Sequence, residues 1–398
     1  MIRIAVFLNS TPQWGGEYQY ALLFMKILKK LPQDQYEVVG ICGSRDWIQW
    51  CRSNKVKIID NSGSNTEIQH NDFYWKIIMK IPKMIWKIRE IYFQYADNIG
   101  IQLKENKIDI CIYADQKRMP FYNIPSISVE HDLMHRYEKR FPEVAEGYWN
   151  REAKYRTMKK CTDVVIVDSK LGKKQFMESY MGKKDKFPKI VPLPYISPRK
   201  QENFEEDEIL NKIKKQLPQK FIFYPAQFWQ HKNHINLLKA VKYLENILPD
   251  IHLVLVGSPK NNGKAIMRYI KDNQIQDKVS IYGFVNDATI FYLYRNAVAL
   301  VMPSFFGPTN IPPLEAMTIG CPVLVADKYA MPEQVGNAGL CFNNEDPQEI
   351  ANCIKKVWSD KKLREEMIRK GRLQVQKWGE QEFASRLKLI IDKLAFHL

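Results

Sequence analysis

Thr309, Asn310 and Glu315 fall close together in the stretch PSFFGPTNIPPLEAMTIGCPV, from Pro303 to Val323, and their types suit the binding of a phosphorylated ligand. The surrounding residues predict a buried strand over Val298–Met302, a polar loop rich in glycine and proline, and a helix opened by Pro312-Pro313. Proline is favoured in a first helical turn because its missing N–H has no partner to lose there. Glu315 is expected in that first turn, with the helix stopping near Gly320 before an apolar strand at Cys321–Ala326. A loop that feeds backbone N–H groups into a helix N-terminus, at the carboxyl end of a parallel strand, is built to hold an anion. An ordinary strand-to-helix turn explains the prolines and Gly320, but not Thr309, Asn310 and the early carboxylate together. Lys232 has a related place, in the loop after the apolar run Phe221–Pro225 and just before a helix, where an ammonium can reach a phosphate.

The elements that position these residues alternate along the whole chain. In the first half, Ile2–Leu8 is a continuous apolar strand, a glycine loop opens a helix through about Lys30, and Tyr36–Cys42 is the next strand. Ile108–Tyr113, Ser126–Val129 and Val164–Val167 are further short apolar runs. The sequence VPLPYISPRK, with Pro192, Pro194 and Pro198, reads as a linker, and strand–helix alternation restarts after it. Strands that are apolar throughout and separated by helices imply parallel sheets covered on both faces. The expected fold is therefore α/β: two doubly wound domains, 1–195 and 196–379, with a ligand cleft between facing strand ends. The amphipathic stretch Gln381–Ala395, within 380–398, suits either a continuation of the second domain or a return onto the first.

A chain of 398 residues is long for a single core, which agrees with two domains. No apolar run approaches the length of a membrane span, and Met1-Ile2-Arg3 leads straight into a strand-like IAVFL, unlike a signal peptide or an anchor. The seven cysteines (42, 51, 111, 161, 321, 341 and 353) are scattered without a Cys-x-x-Cys pair, which points to reduced thiols in a cytoplasmic protein and away from structural zinc. Of the net charge of +16, residues 1–200 carry +12 (34 basic, 22 acidic) and residues 201–398 carry +4 (26 basic, 22 acidic). Such a balance suits an anionic partner. Within Phe73–Ala96, Lys76, Lys80, Lys83 and Lys87 share one helical face, with Trp75, Ile78, Ile81, Ile85 and Trp86 among the apolar rest. That pattern fits a helix lying on an anionic membrane surface, and equally a core-packed helix with a solvated lysine face. The basic residues are spread out and form no compact nucleic-acid recognition motif.

The segments FIFYPAQFWQHKNHINLLKAV, LVLVGS, VSIYGFVNDATIFYLYRNAVALVMPS, IPPLEAMTIGCPVLVAD and GLCFNNEDPQEIANCI occur in an order that resembles the retaining glycosyltransferases of family four, which have the GT-B fold. The resemblance implies transfer of a sugar from a nucleoside-diphosphate donor with retention of anomeric configuration, with no cofactor besides that co-substrate and no metal. It implies that Lys232 binds the diphosphate, that backbone amides of Thr309, Asn310 and Ile311 hold the phosphates, and that Glu315 accepts hydrogen bonds from the donor ribose. Phe284 and Val285 match the region against the nucleobase, and Gly15-Gly16 the glycine loop at the donor phosphate. His131 matches a residue beside the transferred sugar, where it positions the sugar or stabilises the transition state. Asp132, His135 and Arg136 are weaker matches for contacts to sugar or acceptor.

Two positions depart from the family pattern. Gly307 stands where a first Glu contacts the donor sugar, and Gln227 where an Arg precedes the phosphate lysine. Front-face substitution, in which the leaving phosphate takes the proton of the attacking hydroxyl, is the mechanism the resemblance favours. A covalent double displacement needs a carboxylate beside the anomeric carbon. The implied partners are a sugar nucleotide and a glycan or lipid-linked acceptor, at the cytoplasmic face of a membrane, in cell-surface polysaccharide or glycolipid synthesis. A GT-B sugar-nucleotide epimerase and a catalytically silent sugar-nucleotide-binding subunit are the competing expectations.

Overall fold

The computed structural model describes residues 1–12, 15–62, 97–115, 122–197, 207–307 and 310–396. The chain divides into two compact units, Met1–Pro194 with Glu380–Leu398, and Tyr195–Gly379. Thr309, the segment 73–96 and Pro198 of the expected linker lie outside the described residues.

The first unit holds β1 (Ile2–Leu8), β2 (Tyr36–Cys42), β3 (Lys57–Asp60), β4 (Ile110–Tyr113), β5 (Ser126–Glu130), β6 (Val164–Val167) and β7 (Lys189–Pro192). They form a seven-stranded sheet in the order β3-β2-β1-β4-β5-β6-β7, and every pairing is parallel. All residues of β4, β5 and β6 are buried, as a sheet covered on both faces requires. The helix Gly16–Leu28 buries Tyr20, Leu23, Phe24 and Ile27 along one stripe. Phe24 meets Phe383 of the helix Glu380–Phe396 edge-on, with ring centroids 5.5 Å apart, so the last helix belongs to this unit. Strand order reverses between β1 and β4, which makes that point the topological switch of this sheet.

The second unit holds β8 (Ile222–Pro225), β9 (Leu253–Val256), β10 (Val279–Tyr282), β11 (Ala299–Met302), β12 (Val323–Ala326) and β13 (Gly339–Phe342). Their order, β10-β9-β8-β11-β12-β13, again all parallel, reverses between β8 and β11. The helix His234–Leu244 buries Leu237, Leu238, Val241 and Leu244, the spacing of one helical face. Each such side chain contributes about 1.5–3 kcal/mol when fully buried. The architecture is the α/β, doubly wound, two-sheet fold that the alternation of apolar runs implies.

Two local expectations need correction. Val191 and Pro192, assigned to a linker, end strand β7, where Pro192 pairs in register with Val167. A proline is tolerated there because β7 is an edge strand and Pro192 its last residue. The helix after β11 runs from Ile311 to Ile319, one residue earlier than the prolines suggest, so Glu315 falls in its second turn. Its end lies where the sequence puts it: Gly320 at φ +95° takes the left-handed cap, its N–H donating to Ala316 O at 2.9 Å. Among the described residues no helix is long and apolar enough to cross a membrane.

Candidate functional site

At the switch point of the second sheet, the loops after β8 and β11 are joined by short, specific contacts. Lys232 ends a single 3₁₀ turn, Gln230–Lys232, and is half-buried. His231, one residue before it, accepts a hydrogen bond at its carbonyl from Phe305 N–H at 2.8 Å, and its ring stacks on Phe306 at 4.1 Å. Asn233, one residue after, adopts φ +58° and donates its amide to Pro303 O (3.0 Å) and Asn344 O (2.7 Å). Asn344 in turn donates to Pro303 O and Ser304 O. Asn233, Ser304 and Asn344 are all buried, so each bond counts for about 0.5–1.5 kcal/mol net and more if a partner is orphaned. The lysine loop and residues 303–306 after β11 are therefore tied together by these contacts. His234, packed between Tyr224 and Phe228, is pushed down to about 3 by burial and stays neutral.

Other residues matched to the donor site are arranged around these loops. Glu315 is buried and accepts from Tyr294 OH at 2.9 Å. Gln227 accepts from the Trp229 indole N–H at 2.9 Å, so its side chain is steered onto that ring. Phe284 is 88% exposed while Val285 is buried, which leaves an aromatic face at the end of β10 with no protein packed over it. Gly307 lies at φ +147°, and a Cβ there would sit 2.3 Å from Asn310 Nδ2. Asn310 thus fills the space that a side chain at 307 would take, which explains physically why this loop carries glycine. Gln334 holds Asn310 at both backbone groups: Asn310 N–H donates to Gln334 Oε1 at 3.1 Å, and Gln334 Nε2 donates to Asn310 O at 2.6 Å. Pro312 and Pro313 lack an N–H, so Ile311 is the first-turn donor left at this helix start. No pattern in the sequence points to Gln334, Ser304 or Asn344. Asn233 could have been found, since Asn is enriched at positive φ.

In the first unit, Asp115 at the end of β4 accepts from Asn9 N–H (3.0 Å) and Ser10 N–H (2.8 Å), fixing the loop after β1. Burial raises its carboxyl to about 6. That loop leads to Gly15, at φ +66°, and to Gly16, which starts the following helix. At the end of β5, His131 packs edge-on against Tyr20 at 5.4 Å, and burial lowers its pKa, so the neutral imidazole is favoured. Asp132 is different. Burial raises its pKa, but Arg151 Nη1 at 2.8 Å and Met134 N–H at 2.9 Å outweigh burial and hold it at about 2. His135 and Arg136, matched to sugar or acceptor contacts, are committed elsewhere. Both bind Glu152, His135 Nε2 lying 3.1 Å from its Oε1 and Arg136 Nη2 2.7 Å from its Oε2, and Arg136 stacks on Tyr180. They serve the packing of the helix Tyr148–Cys161 rather than an open face. Arg151, bonded to Asp132, and Glu130 and Lys154, whose charges act on Asp132, were singled out by no motif.

Glu130 makes a test of this electrostatic picture. Burial, reinforced by Asp168 and Asp132, pushes its carboxyl well above the ordinary range. A raised folded pKa means that the folded state binds the proton more tightly. Stability from this group is complete below the unfolded value, about 4.3, and is lost as pH rises through the folded one. Glu130→Gln, neutral and of similar shape, is therefore expected to gain stability over the parent as pH rises. Melting temperatures that stay parallel between about pH 5 and 9 would overturn this assignment. Among the described residues no group of three or more His, Cys, Asp or Glu side chains is placed to hold a metal ion.

Residues 205–374 match the family model of glycosyl transferases group 1. The O-antigen chain mannosyltransferase RfbU of Salmonella typhimurium is 28% identical over 145 residues, covering 36% of this chain and 40% of that protein. The chain spans about two fifths of the length of the curated relatives it matches. A glycosyltransferase from Rickettsia africae superposes with TM-score 0.69 at 15% identity, covering 100% of this chain and 99% of the other. Anabaena Alr3699/HepE, solved with UDP and glucose, superposes with TM-score 0.67 at 15% identity, covering 98% and 100%. At such identities the structural likeness speaks for the fold alone, and that fold is GT-B. The stretch 205–374 is similar to the group 1 glycosyl transferases, and the chain's two Rossmann-like units have the GT-B architecture.

Proposed function

We propose that the chain transfers a hexose, with mannose as the first candidate, from a nucleoside-diphosphate sugar to a hydroxyl of a glycan or lipid-linked acceptor during cell-surface polysaccharide synthesis, with retention of anomeric configuration. The observation that carries this reading is the tie between the two switch-point loops: Phe305 N–H donates to His231 O at 2.8 Å, which joins the Lys232 loop to residues 303–306 after β11. A cation and a helix-terminal N–H acting together suit a diphosphate leaving group. Mannose comes first because the relative from Salmonella typhimurium bears a mannosyltransferase name. In this mechanism the acceptor oxygen bonds to the anomeric carbon on the face from which the diphosphate departs. The hydroxyl proton passes to the leaving phosphate oxygen, so no protein base is needed and no metal is invoked. Neutral His131 would sit beside the sugar, with Asp132 fixed by Arg151.

A thermal-shift screen with UDP-, GDP-, dTDP- and ADP-sugars tests the donor, because a ligand that binds only the folded state raises the melting point. One sugar nucleotide, GDP-mannose first among those tried, is expected to shift it and then to be turned over with methyl α-D-mannopyranoside as acceptor. The product should carry an α linkage by NMR, and excess EDTA should leave the rate unchanged. A β-linked product overturns retention, and a screen with no shift at all overturns the donor assignment.

Residues 73–96 supply a separate expectation. The protein should bind vesicles of anionic phospholipid at low salt and release them as salt rises, since exposed charges are screened. Binding that survives charge reversal of Lys76, Lys80, Lys83 and Lys87 would remove this segment from the account.

A further inference from the structure

We propose that Glu130 and Lys154 form a subsite for a neutral sugar hydroxyl at the carboxyl end of β5, beside His131. Glu130 is the last residue of β5 and only 2% exposed, and its Oε1 has no hydrogen-bond partner among the described residues. A buried carboxyl oxygen without a partner carries a free-energy cost, and a ligand that supplies the partner removes it. Lys154 approaches the same place from the helix Tyr148–Cys161. That helix face is fixed at both ends of the step, with Arg151 Nη1 2.8 Å from Asp132 Oδ1 and Tyr155 OH donating to Asp132 O at 2.7 Å. Lys154, at the intervening position of the same face, has its Nζ 5.5 Å above the Tyr155 ring, and no carboxylate among the described residues lies within ion-pair distance of it.

The charges around the pair decide the kind of ligand. Glu17, Arg151, Asp132 and Glu130 face Lys154, while Asp168 and Asp132 face Glu130. Acidic groups outnumber cations, so the spot does not attract an anion. It does suit an uncharged group rich in oxygen, because an ammonium donates, and a carboxyl both donates and accepts, to a hydroxyl. This inference rests on the proposed function for the identity of the sugar, whose source is either the acceptor or the donor hexose.

Saturation-transfer NMR with methyl α-D-mannopyranoside and, separately, GDP tests it without requiring turnover. The parent is expected to saturate the glycoside. Lys154→Met and Glu130→Leu should each cut that signal by about tenfold, the loss of one net hydrogen bond with its partner stranded, while the GDP signal persists. Glu130→Gln, which can still donate and accept, should keep most of it, and melting curves confirm that each variant is folded. Glycoside signals unchanged in both Lys154→Met and Glu130→Leu overturn the subsite, as does a Glu130→Gln protein that behaves like Glu130→Leu. Absence of any signal from GDP, and from UDP, dTDP and ADP tried in its place, in the parent defeats the proposed function instead and leaves the glycoside result standing. Kinetics then separate the sources: a raised acceptor KM assigns the hydroxyl to the acceptor, and slowed hydrolysis of donor alone assigns it to the donor sugar.

Discussion

Replacing Lys232 with alanine is expected to lower kcat/KM for the sugar nucleotide by about 10²–10³-fold, the range found when one preorganised charge-stabilising group is removed from a transition state. The effect should be at the upper end here, because the helix start has few donors to spare. Pro312 and Pro313 remove two of the first-turn N–H groups, and Asn310 N–H is occupied by Gln334. The lysine ammonium is left with much of the charge that develops on a departing diphosphate. Folding should barely respond. The turn is held through backbone atoms, Tyr224 OH donating to Lys232 O at 2.9 Å and His231 O accepting from Phe305, and alanine keeps both. Steady-state kinetics against donor concentration decide the matter, with melting curves as the control. A loss under about threefold would leave the diphosphate held by something else. Lys232→Arg should recover only part of the rate, since a planar fork does not place its charge where a compact ammonium does.

Replacing Glu152 with alanine is expected to cost about 3–5 kcal/mol of stability, the usual result of removing one partner from a buried ionic cluster. Glu152 is 1% exposed and binds His135, Arg136, Arg156 and Tyr180, so its loss strands a buried histidine and a guanidinium together. Burial by itself would raise its pKa, but hydrogen bonds from His135, Arg136 and Tyr180 outweigh burial and hold it well below the ordinary range. With the folded value depressed, the stabilisation is complete above the unfolded pKa of about 4.3 and is lost as pH falls toward the folded one. Urea titrations at neutral pH and near pH 4 separate the two effects. Glu152→Gln should have a flatter acid limb than the parent, and an unchanged acid limb would show that this carboxylate does not govern acid unfolding.

These two residues also mark what a linear reading finds. Lys232 stands in a motif, after an apolar strand and before a helix, and its local role depends on neighbours in sequence. Glu152 sits among basic and aromatic residues on a helix whose pattern says little, and its partners lie 16, 17 and 28 positions away. The strands were legible because each is a short, uninterrupted apolar run, which is what a sheet buried on both faces demands. β3, β7 and β13 were less so: they are edge strands with Lys57, Lys189 and Gly339 at their starts, and only one side of each is paired. The site followed the same division. His231, Asn233 and the Gly307–Ile311 loop are near motif positions, whereas Gln334 and Asn344 reach them only through folding.

The one-dimensional order of residues determined the fold class and the residues worth asking about, because hydrophobic periodicity and turn chemistry are local properties. Only the tertiary structure decided which polar groups are spent and which are left over. His135 and Arg136 look as available in the sequence as His131 and Lys154, yet the first two are consumed by Glu152, and Lys154 is not. Partner choice depends on which distant elements a sheet brings together, and the cost of burying an unpaired group exists only once the core has closed.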